Sequence, residues 1–139
     1  MAKKKLSVVG LFSGCGGLDL GFKNQGFDIL WANDFEKDAV RTYRENIGDH
    51  IVLGDITKIP SSEIPNNFDV LLGGFPCQGF SVANIKRSIK DERNFLYLEM
   101  LRILKDKKPK FFIAENVKGI LSLQGGEVME MILKDFKKI

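Results

Sequence analysis

A chain of 139 residues has room for one domain built around one core. Hydrophobic residues make up 44% and charged residues 28%, the balance of a soluble globular domain, and no apolar stretch approaches the roughly 20 residues of a membrane span. The net charge of +3 is compatible with a polyanionic partner without arguing for one. The start, Met-Ala-Lys-Lys-Lys, is charged, but a strand containing Gly10 follows it where a secretory signal would have an apolar core. Cys15 and Cys77 fall in different candidate loops, which fits reduced thiols and a cytoplasmic location. One histidine, His50, excludes a multi-histidine metal centre, and no Cys/His cluster has zinc spacing, so no metal is expected.

Strands and helices alternate along the chain. Residues 6–12 form a short apolar strand, and 18–24 a helix that opens directly from a glycine turn. Residues 28–32 form a second strand ending at Asn33-Asp34, and 37–46 an amphipathic helix with Ala39, Val40 and Tyr43 on one face. A third strand, 51–53, closes at Gly54-Asp55. A turn-rich connection over 60–67 leads to a fourth strand at 68–72. A long polar segment follows Cys77 and runs to Asp91. Residues 92–104 then read as a helix with Leu96, Met100, Ile103 and Leu104 inward. Residues 110–114 form a fifth strand whose run Phe111, Phe112, Ile113 has the continuous apolar character of a buried strand, and 127–136 form the last helix. This alternation predicts an α/β fold: a Rossmann-like, doubly wound, mostly parallel sheet. Such a sheet gathers Ser13, Asp34, Asp55, Cys77 and Glu115 along one edge, beyond the carboxyl ends of the strands, where these folds bind ligands.

The segment from Phe12 to Gly17, Phe-Ser-Gly-Cys-Gly-Gly, joins a strand to a helix, and its glycines let backbone approach a ligand closely. Asp34 follows at the roughly 20-residue spacing of a ribose-binding carboxylate. Gly14, Gly16 and Gly17 lack the last glycine of a dinucleotide fingerprint, which weakens a pyrophosphate reading, and a plain tight turn remains the alternative. Taken singly, Asp55 is equally a loop carboxylate capping a turn, Leu96 a packed helix residue, Cys77 a buried thiol, and Glu115 a carboxylate at a helix start.

The segment from Gly73 to Ser81 reads Gly-Gly-Phe-Pro-Cys-Gln-Gly-Phe-Ser. It resembles the nucleophile motif of cytosine-C5 DNA methyltransferases. The glycine turn and Glu115-Asn116-Val117 fit that family in the same order, and the likeness covers nearly the whole chain. The resemblance implies a methyltransferase-type sheet, incomplete at its C-terminal end, with residues 1–139 as the N-terminal cofactor-binding and catalytic segment and no target-recognition domain. It implies S-adenosylmethionine as cofactor, held by Phe12, Gly14, Cys15, Gly16, Gly17, Asp34, Phe35, Asp55, Ile56, Pro76 and Leu96. Phe35 stands where the family often has tryptophan, Asp34 where it usually has glutamate, and Asn94 where it commonly has glycine.

The resemblance also makes Cys77 the nucleophile that adds to C6 of a flipped cytosine, so that C5 takes the methyl group. Glu115 is then the acid facing N3, with burial at the end of an apolar strand raising its pKa. Asn116 orients the loop around Cys77, and Pro76, Gln78 and Ser81 touch the base or shape that loop. Residues 78–91, with Lys86, Arg87 and Lys90, resemble the family's mobile active-site loop. Cys15 is expected to turn its backbone to the cofactor and pack its side chain.

The implied partners are double-stranded DNA, in a bacterial restriction-modification setting, and a C-terminal subunit carrying the recognition elements. Alternatives stay open: a tRNA cytosine-5 enzyme on the same fold, an S-adenosylmethionine-binding subunit inactive alone, a nicotinamide oxidoreductase, and a Cys-His hydrolase for which His50 is the one candidate base.

Overall fold

The computed structural model of the chain describes residues 4–76 and 96–139. Five strands, β1 (Ser7–Leu11), β2 (Asp28–Asp34), β3 (Ile51–Leu53), β4 (Val70–Gly73) and β5 (Phe111–Ala114), form one sheet in the order β3-β2-β1-β4-β5, every neighbouring pair parallel. Among the described residues four helices accompany them: α1 (Gly17–Asn24), α2 (Lys37–Asn46), α3 (Leu96–Lys107) and α4 (Glu127–Phe136). The predicted doubly wound parallel sheet is therefore the observed one, with element ends shifted by a few residues. The predicted start of the third helix, residues 92–95, lies outside the described residues.

Alternation along the strands builds two faces. Val9 and Leu11 of β1, Trp31 of β2 and Leu71 of β4 pack with Met100, Ile103 and Leu104 of α3 and with Val128 and Ile132 of α4. Val8, Ile29, Val70 and Leu72 point the other way, against Leu18 and Phe22 of α1. Ala32 and Ile51 meet Val40, Tyr43 and Ile47 from α2 and the turn after it. Helices thus cover both faces, as parallel sheets require.

The buried-strand reading of residues 110–114 is not what the structure shows. All four residues of β5 are exposed, Phe111 by 63%. The reason is position: among the described residues β5 pairs on one side only, and the aromatic contact to it is a stack of Phe112 on Phe136 with ring centroids 5.1 Å apart.

At the opposite ends of the strands, Asp69 ties three of them together. Its Oδ2 accepts the Ser7 N–H at 2.9 Å and the Ser7 hydroxyl at 3.0 Å, and its Oδ1 accepts Lys110 Nζ at 2.7 Å. Those donors, led by Lys110, hold the carboxyl down from the ordinary 3.8 to about 2. A carboxylate lowered in the folded state stabilises above its unfolded pKa and loses that contribution as pH falls through the folded one. Urea midpoints of the wild type should therefore decline as pH drops from 3.8 towards about 2. Asp69→Asn should be less stable at neutral pH and show a flatter decline, measured by urea titration at a series of pH values.

Candidate active site

Parallel strands place their carboxyl ends on one edge, so the segments after β1, β2, β3, β4 and β5 converge there. The glycine turn after β1 is held from two sides. Phe12 adopts φ 56, a left-handed conformation unusual for a residue with a side chain, and its ring packs on the core. The Ser13 N–H bonds the Asn33 carbonyl at 3.0 Å, and the Gly16 N–H returns to the Ser13 carbonyl at 2.8 Å. Gly16, at φ 92, has no space for a side chain, since a Cβ there would sit 2.1 Å from Ile47 Cδ1. At Gly14 and Gly17 an added Cβ meets nothing within 4 Å, so this side of the turn is open. Cys15 is exposed on it, where packing was expected, because the turn lifts the residue between two left-handed glycines away from the core.

Asp34 ends β2 and organises the crevice. Its Oδ2 accepts the Gly14 N–H at 2.7 Å and its Oδ1 the Glu36 N–H at 2.9 Å. One carboxylate thus fixes the glycine turn and the approach to α2, and each oxygen keeps a further lone pair. Phe35, next to it, is 63% exposed and offers an open aromatic face. Asn33, which sequence reasoning passed over, is buried, and its amide donates to the Val52 and Gly54 carbonyls at 3.0 and 2.9 Å, setting the loop that carries Asp55. A polar residue at the inward-facing end of an apolar strand was the available signal.

Asp55 caps a short 3-10 turn, with Oδ1 accepting the Thr57 N–H at 3.0 Å and the Thr57 hydroxyl at 2.7 Å. These bonds hold its carboxyl below the ordinary range. Its Oδ2 lies 3.8 Å from Lys58 Nζ. Ile56 does not present its side chain to the crevice: that side chain is buried in the core against α3. Leu96, half-buried, opens α3 and packs on the same core.

On the other side of β1, β4 leads into Phe75 and the partly buried Pro76, while Cys77, Gln78, Ser81 and residues 78–91 lie outside the described residues. Glu115 follows β5. Its N–H bonds the Gly73 carbonyl at 2.8 Å, and its Oε2 lies so near Gly74 that a Cβ there would be 3.2 Å away. The burial expected for Glu115 is absent; the residue is exposed, as is the strand that leads into it. Asn116 donates to the Phe75 carbonyl at 2.9 Å and accepts the Val117 N–H at 2.8 Å, which joins the β5 loop to the segment two residues before Cys77. An apolar cleft of about 400 Å³, lined by Phe75, Phe112, Ile120, Met129, Ile132 and Phe136 among others, lies between β5 and α4.

Beneath the glycine turn is a buried network that the sequence pattern did not reveal. Asp19 Oδ2 accepts the Ser13 hydroxyl at 3.1 Å and the Tyr43 hydroxyl at 2.8 Å, and Tyr43 lies 2.9 Å from His50 Nε2. Burial pushes Asp19 up and His50 down from their ordinary values. Gly10 is required here, as a Cβ would fall 2.6 Å from Ser13 Oγ and 2.7 Å from Asp19 Oδ2. His50 is thus bonded within this network.

The family described as C-5 cytosine-specific DNA methylase matches residues 6–139. The chain belongs to that family. It is 46% identical over 137 residues to the Type II methyltransferase M.NgoFVII of Neisseria gonorrhoeae, covering 98% of this chain and 37% of that protein. Likewise it is 46% identical to M.FnuDI of Fusobacterium nucleatum over 96% of this chain and 38% of that one. The crystal structure of the S. pombe Dnmt2 methyltransferase superposes with a TM-score of 0.70 at 26% identity, over 94% of this chain and 42% of the other. The methylase chain therefore spans about two fifths of the length of these relatives. Among the described residues of this family member no helix is long and apolar enough to cross a membrane, and no cluster of His, Cys, Asp or Glu could hold a metal ion.

In this methylase chain Asp34 accepts two backbone N–H groups with different oxygens. Asp34→Asn must turn an NH₂ towards one of them. The expected cost is about 1–3 kcal/mol, the range for leaving a partly buried donor unpaired, read as a lower urea midpoint at pH 7.

Proposed function

We propose that this chain is the cofactor-binding and catalytic part of a DNA cytosine-5 methyltransferase of the restriction-modification type, acting in the cytoplasm. The observation that carries the reading is the convergence of the Asp34 crevice and the Glu115-Asn116 loop on one sheet edge, within a sequence that matches the methylase family from residue 6 to residue 139.

S-adenosylmethionine fits the residues present. The remaining lone pairs of Asp34 suit two ribose hydroxyls, the exposed Phe35 ring suits one face of a purine, and Asp55 Oδ2, not used by Thr57, suits its exocyclic amine. The open side of Gly14 and Gly17 leaves room for the amino-acid end of the cofactor, with Phe12, Cys15, Gly16, Pro76 and Leu96 around it. The cofactor supplies an electrophilic methyl group. Cytosine C5 is a weak nucleophile until a thiolate adds to C6, so the chemistry needs a cysteine, assigned by resemblance to Cys77. Glu115 is assigned to N3, where it donates a hydrogen bond or proton as charge develops. Its exposure leaves its carboxyl open to an entering base, and Asn116 ties its loop to the chain before Cys77. The base is reached only when flipped from the duplex, and residues 78–91, with Gln78 and Ser81, are assigned to closing over it. DNA is the partner on this reading, with the recognition elements on a C-terminal subunit.

Two measurements test this. Calorimetric titration with S-adenosylhomocysteine should show binding by wild type and none by Asp34→Ala; equal affinity in the two would sink the cofactor assignment. With the recognition part supplied, DNA carrying 5-fluorocytosine should form a denaturation-resistant adduct, since fluorine at C5 cannot leave as a proton. Cys77→Ser should lose the adduct and Cys15→Ala keep it, while Glu115→Gln should form it more slowly. An adduct retained by Cys77→Ser overturns the mechanism.

A further inference from the structure

Arg102, on α3, makes a set of contacts that neither the sequence pattern nor the proposed chemistry uses. Its Nε donates to Glu99 Oε2 at 2.8 Å, and its Nη1 to Ser61 Oγ at 2.8 Å. Its Nη2 reaches the carbonyls of Ile56 and Ile59, each at 3.1 Å, and lies 2.7 Å from the same Glu99 oxygen. The Arg102 and Glu99 side chains are 30% and 20% exposed, so the pair is largely shielded from water. One planar guanidinium therefore holds both ends of the 3-10 turn Ile56–Lys58, whose capping residue is Asp55.

The turn has few other polar restraints. Within it, the Ile59 N–H bonds the Ile56 carbonyl at 3.2 Å and the Lys58 N–H bonds the Asp55 carbonyl at 2.9 Å. Upstream, Asn33 grips the Gly54 carbonyl. Asp55 thus sits between two clamps, one from β2 and one from α3. Thr57 fixes the rotation of its carboxylate. Arg102 ties the turn to α3 through its main chain, beside the buried Ile56 and Ile59 side chains.

We propose that Arg102 is a positioning residue for purine recognition: through the main chain of residues 56–59 it places the Asp55 carboxylate at hydrogen-bonding distance from the exocyclic amine of an adenosyl cofactor. This rests on the cofactor reading above. Hydrogen bonds weaken steeply outside a narrow range of distance and angle, so a small shift of the turn removes the contact while the rest of the site stays in place. Lysine cannot replace the fork, because a single ammonium cannot bond Glu99, Ser61 and two carbonyls in one plane.

The test compares S-adenosylhomocysteine with S-inosylhomocysteine, in which a carbonyl oxygen replaces the amine, by titration calorimetry on this chain. Wild type should prefer the adenosyl compound, since a carboxylate facing a carbonyl oxygen gains nothing. Arg102→Lys should lose about tenfold or more in affinity for the adenosyl compound, the equivalent of one charged hydrogen bond. It should bind the inosyl compound within about twofold of wild type, a tolerance below half a kcal/mol. Ser61→Ala removes one bond of the fork, together with the hydroxyl's bond to Asp106, and should shift the ratio in the same direction by a smaller factor, so it carries the test if Arg102→Lys does not fold. Equal loss for both compounds, or an unchanged ratio in folded variants, overturns the proposal and makes Arg102 a purely structural brace. Wild type binding both compounds equally removes the Asp55 contact, and wild type binding neither removes the cofactor reading; either result overturns the role of Arg102 as well.

Discussion

The structure depends on the double parallel pairing of β1. Val8 to Leu11 are paired with β2 on one side and β4 on the other, and all the flanking strands run the same way. The chain goes from β1 outward to β2 and β3, then crosses back to enter β4 and β5. Connections on the two sides of β1 therefore leave in opposite directions and open a crevice beyond its carboxyl end. The glycine turn, the Asp34 and Asp55 loops, and the Phe75 and Glu115 segments all follow strands whose carboxyl ends lie on this edge. Gly10 and the buried Asp19 show how closely the glycine turn is built, since the strand must give up a side chain at Gly10 to admit a carboxylate and a hydroxyl beneath the turn.

Polar side chains hold these segments in place. Asp34, Asn33, Arg102 and Asn116 each bond to main-chain groups of a neighbouring loop, so loop positions are set by groups anchored on helices or at strand ends. Main-chain groups make dependable partners for such clamps, because an amide N–H or carbonyl is present whatever the loop sequence and a partly buried one must be paired. Asp69 acts in the same way at the far end of the sheet for β1, β4 and β5. Both Asp34 and Asp69 are buried, and each spends its two oxygens on donors from neighbouring segments.

The fifth strand differs from the other four in that every one of its residues is exposed. Its aromatic run pairs with β4 alone among the described residues, and its loop carries Glu115 in an exposed position. Geometry rather than desolvation is what this structure offers Glu115: a main-chain bond to Gly73, a side chain against Gly74, and a neighbour, Asn116, bonded to Phe75. Among the described residues, β5 exposes Phe111, Phe112 and Ile113 beside the apolar cleft at α4.

Alternating apolar segments and glycine turns were enough to read the parallel sheet and its element order, because period and turn chemistry are local properties of the chain. The residue motifs were likewise enough to name the family, since they occur in a fixed order at fixed intervals. Exposure was not legible: Phe111 to Ala114 look like a buried strand by composition, and whether they are buried depends on what pairs and packs beside them. Nor were the clamps, for Arg102 is an ordinary charged helix residue until the fold brings Ile56, Ile59 and Ser61, more than forty positions away, within reach of its guanidinium. Asp34 shows the division within one residue. Its spacing from the glycines suggested a ligand carboxylate, but only the meeting of two strand ends in space made it the group that holds the Gly14 amide, because that bond joins segments whose distance is set by the sheet and not by the sequence.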